Sequence, residues 1–262
     1  MVNRLLISII VALFSMSSYA TVRPLMNETI YSDILREQRK LIISLPKSYK
    51  TNKKRHYSVL VLLDAKKNLS HTAGSLDYLN SYGYIPDLII VGIVNNKRFK
   101  DFTPTKSKKN LDVESGGAND FIAFMEHELL PYIDDKYRTR DYKILVGHSL
   151  GGLLTVHSLI AKPHLFQAHF AFSPSLWWDD QLIVKRAQKL FNETKTLDNF
   201  LYLNMGKESQ KTTKAITTFK SILEKSKPEK FEFESDRFKD ESHVTTPVIG
   251  QYKAYRALYR DW

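Results

Sequence analysis

The chain contains no cysteine among its 262 residues. That excludes a disulfide framework and any Cys-ligated metal site, so stability must come from core packing alone. Beyond the first twenty residues, no segment is apolar and long enough to cross a bilayer. Repeats, low-complexity tracts and Pro/Gly-rich linkers are also missing, so nothing divides the chain into separate modules. Acidic residues are the scarcer sign, 28 against 39 Lys and Arg, for a formal charge of +11. Much of the surplus lies in the N-terminal half: Lys47, Lys50, Lys53, Lys54, Arg55, Lys66, Lys67, Lys97, Arg98, Lys100, Lys106, Lys108 and Lys109. A basic surface favours anionic partners, although for most of these side chains a solvated face is the simpler reading.

What is present begins with a leader. Arg4 supplies a positive start, residues 5–14 an apolar stretch, and Ser18-Tyr19-Ala20 the small residues that a signal peptidase reads. Residues 1–20 are expected to be a signal peptide, with an uncleaved anchor as the alternative, and the boundary has no Cys for lipid attachment. The expected location is periplasmic or secreted, with no stable membrane insertion after cleavage. Export also argues against nucleic acid as a partner. Residues 21–262 are long enough for one α/β domain with a sizeable core.

Short apolar runs alternate with helical patterns. The runs at 41–45, 57–63, 88–94, 143–146, 169–172, 200–205 and 231–235 read as strands. Helices are expected at 70–82, 118–130, 150–161, 181–191, 211–225 and 247–259. Continuous apolar strands suit a parallel sheet covered on both faces. The alternation of Phe231, Glu232, Phe233 and Glu234 instead suggests a sheet edge. The expected fold is α/β, a mostly parallel doubly wound sheet with helices on both faces. Ligands of such sheets bind beyond the C-terminal strand ends.

One pentapeptide stands at such an end: Gly147-His148-Ser149-Leu150-Gly151. It follows an apolar strand and opens an apolar helix, the setting in which Gly-x-Ser-x-Gly forms a nucleophile elbow. The flanking glycines are expected to avoid clashes in a tight turn. The helix N-terminus beneath Ser149 offers N–H groups to a developing oxyanion. A serine hydroxyl needs a base, and in this topology the order is Ser, acid, His. Histidines preceding Ser149 fit that order poorly, and His148, inside the motif, is expected to point away from Ser149. His243, after the last expected strand, is the candidate base. Glu208, at the end of the 200–205 strand, is the candidate acid, with Asp240, Glu241 and Asp198 as rivals and a Ser–His dyad as the alternative. The oxyanion hole should pair the N–H of Leu150 with that of Ala65 or Lys66. Trp177 and Trp178 sit where an aromatic pocket wall would form, and one of them is expected to be ordinary core. Lys66, Lys67, Lys97, Arg98 and Lys100 are expected near the mouth. Arg98 either grips an anion with its planar fork or pairs with Asp101.

Taken together, these residues resemble the α/β-hydrolase family that includes esterase D and the enterochelin and salmochelin esterases. The segments that carry the resemblance are Leu62-Leu63-Asp64, Val91-Gly92-Ile93-Val94-Asn95-Asn96-Lys97-Arg98, Asp101-Phe102-Thr103-Pro104 and Gly116-Gly117-Ala118. They continue through Glu128-Leu129-Leu130-Pro131-Tyr132-Ile133, residues 147–152, Ser173-Pro174-Ser175-Leu176-Trp177-Trp178, and His243. The resemblance covers most of the chain after the leader. It implies carboxylic-ester hydrolysis without a cofactor or metal, with Ser149 as nucleophile and His243 as base. It also implies that the Arg98 and Trp177 loops border the substrate pocket. Siderophore-type and other anionic esters are among the implied substrates. An acyltransferase and an inactive ligand-binding relative are the alternatives. Val244 stands where many members carry Gly.

Overall fold

A computed structural model describes residues 23–108 and 112–262, so the expected leader at 1–20 lies outside the described residues. The strands are β1 (Leu25–Ser32), β2 (Glu37–Ser44), β3 (Tyr57–Leu62), β4 (Leu88–Ile93), β5 (Thr139–His148), β6 (Ala168–Phe172), β7 (Phe200–Lys207) and β8 (Glu232–Ser242). The helices are α1 (Ser48–Thr51), α2 (Ala65–Ser81), α3 (Arg98–Phe102), α4 (Ala118–Phe124), α5 (Leu130–Lys136), α6 (Leu150–Ala161), α7 (Trp178–Glu193), α8 (Gln210–Ser226) and α9 (Thr246–Leu258). The sheet runs β1-β2-β4-β3-β5-β6-β7-β8. From β4 to β8 all neighbours are parallel, and β1 and β2 are antiparallel additions at one edge.

Period-two alternation divides the core. Val59, Val61 and Leu63 face one side with Phe121, Leu153 and Phe219. Leu60 and Leu62 face the other with Leu76, Ala254 and Tyr255. Both faces of β3 are therefore dry, which is why its sequence is a continuous apolar run. β8 closes the opposite edge, as its alternating Phe and Glu suggest. The hairpin strand β1 was not expected. Only Met26 and Ile30 of it pack on the core, because an edge strand needs just one apolar face.

Two boundaries differ for physical reasons. α2 starts at Ala65, five residues before the expected 70, because Asp64 takes a left-handed φ of 54° and turns the chain straight into the helix. The helix expected at 118–130 runs on to Lys136. A π-helical turn at Met125–Leu129 carries it across the expected end, and Pro131 begins α5 where its missing N–H costs nothing.

Arg39 on β2 and Asp101 on α3 form a doubly hydrogen-bonded pair at 2.6 and 2.8 Å, with each side chain 1% exposed. Losing Arg39 would strand the buried Asp101 carboxylate, at a cost of about 3–5 kcal/mol, whereas Arg39 also pairs with Glu37 at 2.5 Å. The pair anchors the short helix that carries Arg98.

Two buried histidines and a half-buried one make the fold acid-sensitive. Burial holds His169, in the middle of β6, at about 3; His157 on α6 at about 4; and His148 at the end of β5 at about 4. All three are depressed below the unfolded value of 6.5. Their neutral forms therefore contribute stability above pH 6.5 that is lost as pH falls toward 4. Three extra protons bound by the unfolded chain give a slope of about 4 kcal/mol per pH unit. Typical total stability is roughly 5–15 kcal/mol. Urea midpoints should hold above about pH 7 and fall steeply below about 6.5, and His169→Leu should flatten the slope by about a third. Midpoints unchanged between pH 7 and 5 would show that the rings are protonated within the fold.

Candidate active site

β5 ends in the elbow. Ser149 has φ 59° and ψ −115°, a strained conformation for a residue with a side chain. It is held by its N–H donating to the Phe172 carbonyl at 3.0 Å and its carbonyl accepting from Leu153 and Ser175. The expected steric role of the glycines holds at Gly147, where a Cβ would overlap the Gly151 carbonyl. It does not hold at Gly151. A Cβ there would meet Asp64 Oδ2 at 3.4 Å, an ordinary contact, because that face of α6 is open toward the α2 turn.

The row of hydrogen bonds follows from β7 and β8. Their register runs Met205↔Arg237 and then, after an irregularity, Lys207↔Ser242. Unbroken pairing would have carried Glu208 to Asp240. The shift places it beside His243 instead. Gly206 permits this, since a Cβ there would overlap the Glu241 carbonyl. His243 Nδ1 lies 2.8 Å from Glu208 Oε2, and His243 Nε2 lies 3.0 Å from Ser149 Oγ. The Glu208 side chain is 3% exposed and that of His243 37%. Burial pushes the Glu208 carboxyl up, but hydrogen bonds from His243, Ser173 and the Gly206 backbone outweigh it and hold the group below its usual range. No hydrogen bond joins the rival acids Asp240, Glu241 and Asp198 to His243 among the described residues.

Leu150 and Ala65 are the first residues of α6 and α2, so neither N–H has a partner within its helix. Val244, 72% exposed, fits a turn closed by the Thr245 N–H to the Ser242 carbonyl.

Arg98 requires a correction. Its guanidinium does not pair with Asp101, which is taken by Arg39. Nε and one terminal nitrogen grip the Asp64 carboxylate at 2.9 Å each, and that terminal nitrogen also donates to the His148 carbonyl at 3.2 Å. Asn95 adds a further bond to Asp64. Arg98 thus braces the α2 turn against the elbow, because the tops of β4, β3 and β5 are adjacent. Lys97 and Lys100 are likewise engaged, both with Glu114 at 3.0 and 2.7 Å. Lys66 and Lys67 are exposed on α2.

The expected aromatic wall is present. A cavity of about 840 Å³ is lined by Trp177 and Trp178, with Phe99, Lys106, Lys211 and Lys214 among its other walls. Trp178 is buried and donates to Thr105 Oγ1 at 3.1 Å. Trp177 is half-buried, with the Lys211 ammonium 4.0 Å above its ring. Ser149, His243 and Glu208 do not line this cavity, but Gln210 and Lys211, two and three positions after Glu208, do. Four lysines face it against two aspartates, Asp179 and Asp180.

Sequence reasoning passed over Ser175. Its side chain is buried, with Oγ 3.4 Å from Ser149 Oγ. The Ser-Pro-Ser run was the available signal. His148 makes no hydrogen bond to Ser149, but it lies on the reactive side: its Nε2 is 2.7 Å from the His243 carbonyl, and the two rings are 4.8 Å apart.

A mostly parallel eight-stranded sheet with a strained serine between its fifth strand and the next helix defines the α/β-hydrolase class of fold. Residues 32–257 match the family described as Putative esterase, and the chain belongs to that family. The ferri-bacillibactin esterase BesA of Bacillus subtilis is 31% identical over 159 residues, 53% of this chain and 55% of that protein. The siderophore triacetylfusarinine C esterase of Aspergillus fumigatus is 34% identical over 110 residues, 41% of this chain and 37% of that one. The chain thus spans about half or less of the length of these curated relatives. A solved IroE-like serine hydrolase from Shewanella oneidensis is 31% identical, with a TM-score of 0.83 over 91% of this chain and 81% of that one.

Proposed function

We propose that this protein is an exported serine esterase that cleaves an anionic, siderophore-type carboxylic ester through an acyl-enzyme. The observation that carries the reading is the continuous row Glu208–His243–Ser149 at 2.8 and 3.0 Å. The family and the siderophore esterases among its relatives support the substrate class. Support for export is the pattern of residues 1–20. Among the described residues, no helix is long and apolar enough to cross a membrane.

In this reading, Ser149 Oγ attacks the ester carbonyl carbon as its proton passes to His243 Nε2. The carbonyl oxygen becomes an oxyanion, which accepts hydrogen bonds from the N–H groups of Leu150 and Ala65. The carbon–oxygen bond to the alcohol then breaks, and His243 returns its proton to the leaving oxygen. Water repeats the sequence on the acyl-enzyme and restores Ser149. Glu208, ionised at neutral pH, fixes the imidazole tautomer and stabilises the transient imidazolium. The aromatic wall and the lysine excess of the neighbouring cavity suit a substrate with aromatic or planar groups and negative charge.

With matched esters, anionic substrates should show specificity constants roughly tenfold above neutral ones at low salt. That preference should fade toward 1 M salt, where screening reaches about 3 Å. Replacing Lys106 and Lys211 with Gln should reduce it as well. Equal constants for both ester types at low salt would refute anionic selection while leaving hydrolysis itself intact.

A further inference from the structure

The loop bearing His243 leaves the sheet at Ser242, the last residue of β8 in register with β7. Past that point the ladder no longer holds it, yet the imidazole must stay within a hydrogen bond of Ser149. Two groups hold the His243 carbonyl: Thr246 Oγ1 from its own turn at 3.2 Å, and the His148 ring at 2.7 Å. A carbonyl only accepts, so His148 Nε2 carries the proton. His148 is covalently joined to Ser149, and its carbonyl is in turn held by Arg98. One residue therefore ties the nucleophile's strand to the main chain of the candidate base, 94 positions away in sequence from Ser149.

We propose that His148 is a positioning residue, whose ring N–H clamps the main chain of His243 and so sets the distance from its imidazole to Ser149. The Gly-x-Ser-x-Gly pattern leaves this position free, so the clamp belongs to this chain's own geometry. Two neighbouring imidazoles would repel each other if both were charged. Burial, followed by His243 and Arg98, holds His148 at about 4, so at neutral pH its ring is uncharged while His243 gains a proton during turnover. A neutral donor can therefore keep its grip without opposing the imidazolium.

The proposal rests on Ser149 acting as the nucleophile, and its test reads that chemistry directly. Phosphonylation of Ser149 by a fluorophosphonate is timed in wild type, His148→Leu, His148→Gln and His148→Asn. Values of kcat and KM on an activated ester, and melting temperatures, are measured alongside. A Gln amide nitrogen reaches the place of Nε2, whereas an Asn amide stops short of it. In the Leu variant, labelling and kcat should fall about 10- to 100-fold with KM little changed, the scale of a misplacement near 1 Å. Gln should restore most of the rate and Asn should not. Wild-type labelling of a folded Leu variant overturns the clamp. So do equal rates for Gln and Asn, which decide the matter even if the Leu variant fails to fold. An unlabelled wild type overturns the nucleophile reading itself, and the clamp with it.

Discussion

Ser149→Ala and His243→Ala should each lower ester hydrolysis by about five to six powers of ten, the scale seen when either half of a nucleophile–base unit is removed. The two atoms lie 3.0 Å apart and act as one device, so the double variant should be no worse than either single one. Residual turnover above that of water would then report the N–H groups of Leu150 and Ala65 acting alone. Neither change should unfold the protein. Ala carries the same Cβ as Ser into the strained elbow, and Glu208, once deprived of His243, keeps its hydrogen bonds from Ser173 and the Gly206 backbone. Turnover of an activated ester, with circular dichroism melts as the control for folding, checks both claims. Near-normal hydrolysis by either folded variant would remove Ser149 and His243 from the proposed chemistry.

The parts of this site that are local in sequence were legible in it, and those created by strand order or register were not. The elbow could be read because strand, glycine, serine and helix are contiguous. Glu208 could be placed at a strand end because Phe200–Lys207 is one apolar run closed by a glycine and charges. What the sequence left open was which acid would face His243. That choice is made by the shift between Met205 and Lys207, which moves the partner of Glu208 from Asp240 to His243. Nothing in the composition of β8 announces the shift. Arg98 shows the same limit at longer range. Its grip on Asp64 requires β3 and β4 to be neighbours and α2 to start at Ala65, and a spacing of 34 residues encodes neither. The edge strand β1 escaped because only every other side chain is needed inside, and its inward set is sparse. Trp177 and Trp178 were placed correctly on one wall, but the division of labour between them depends on Thr105 and Lys211, which come from distant elements.

These register-made contacts share a direction. Asp64 is joined to Arg98, Arg98 to the His148 carbonyl, the His148 ring to the His243 carbonyl, and His243 to Glu208. The chain of bonds starts at the turn before Ala65 and ends at Glu208, the candidate acid. It passes through both the elbow and His243, the candidate base. Strain at Ser149 is sustained because the groups around it are held by several elements at once.

Glu208→Gln tests the far end of that chain, and its expected effect is a loss in kcat of about ten-thousandfold with substrate binding little changed. The carboxylate accepts from His243 Nδ1, which leaves Nε2 unprotonated and able to take the Ser149 proton. A Gln amide in the same place can instead donate to Nδ1. The ring proton then moves to Nε2, and the base faces Ser149 already occupied. The imidazolium that forms in turnover also loses its counter-charge in a site where the Glu208 side chain is 3% exposed. The same group affects stability. Its carboxyl is held below the usual 4.5, so it stabilises the fold above that pH and loses this contribution as pH falls through the lower folded value. The Gln variant should therefore lose some stability at neutral pH, and the gap from wild type should narrow on acidification. Stopped-flow hydrolysis at pH 7, and urea melts at pH 7 and below pH 4.5, measure both effects. Unaltered turnover in a folded Glu208→Gln protein would mean that Ser149 and His243 work as a dyad, with Glu208 serving only as the buried partner that orients the loop.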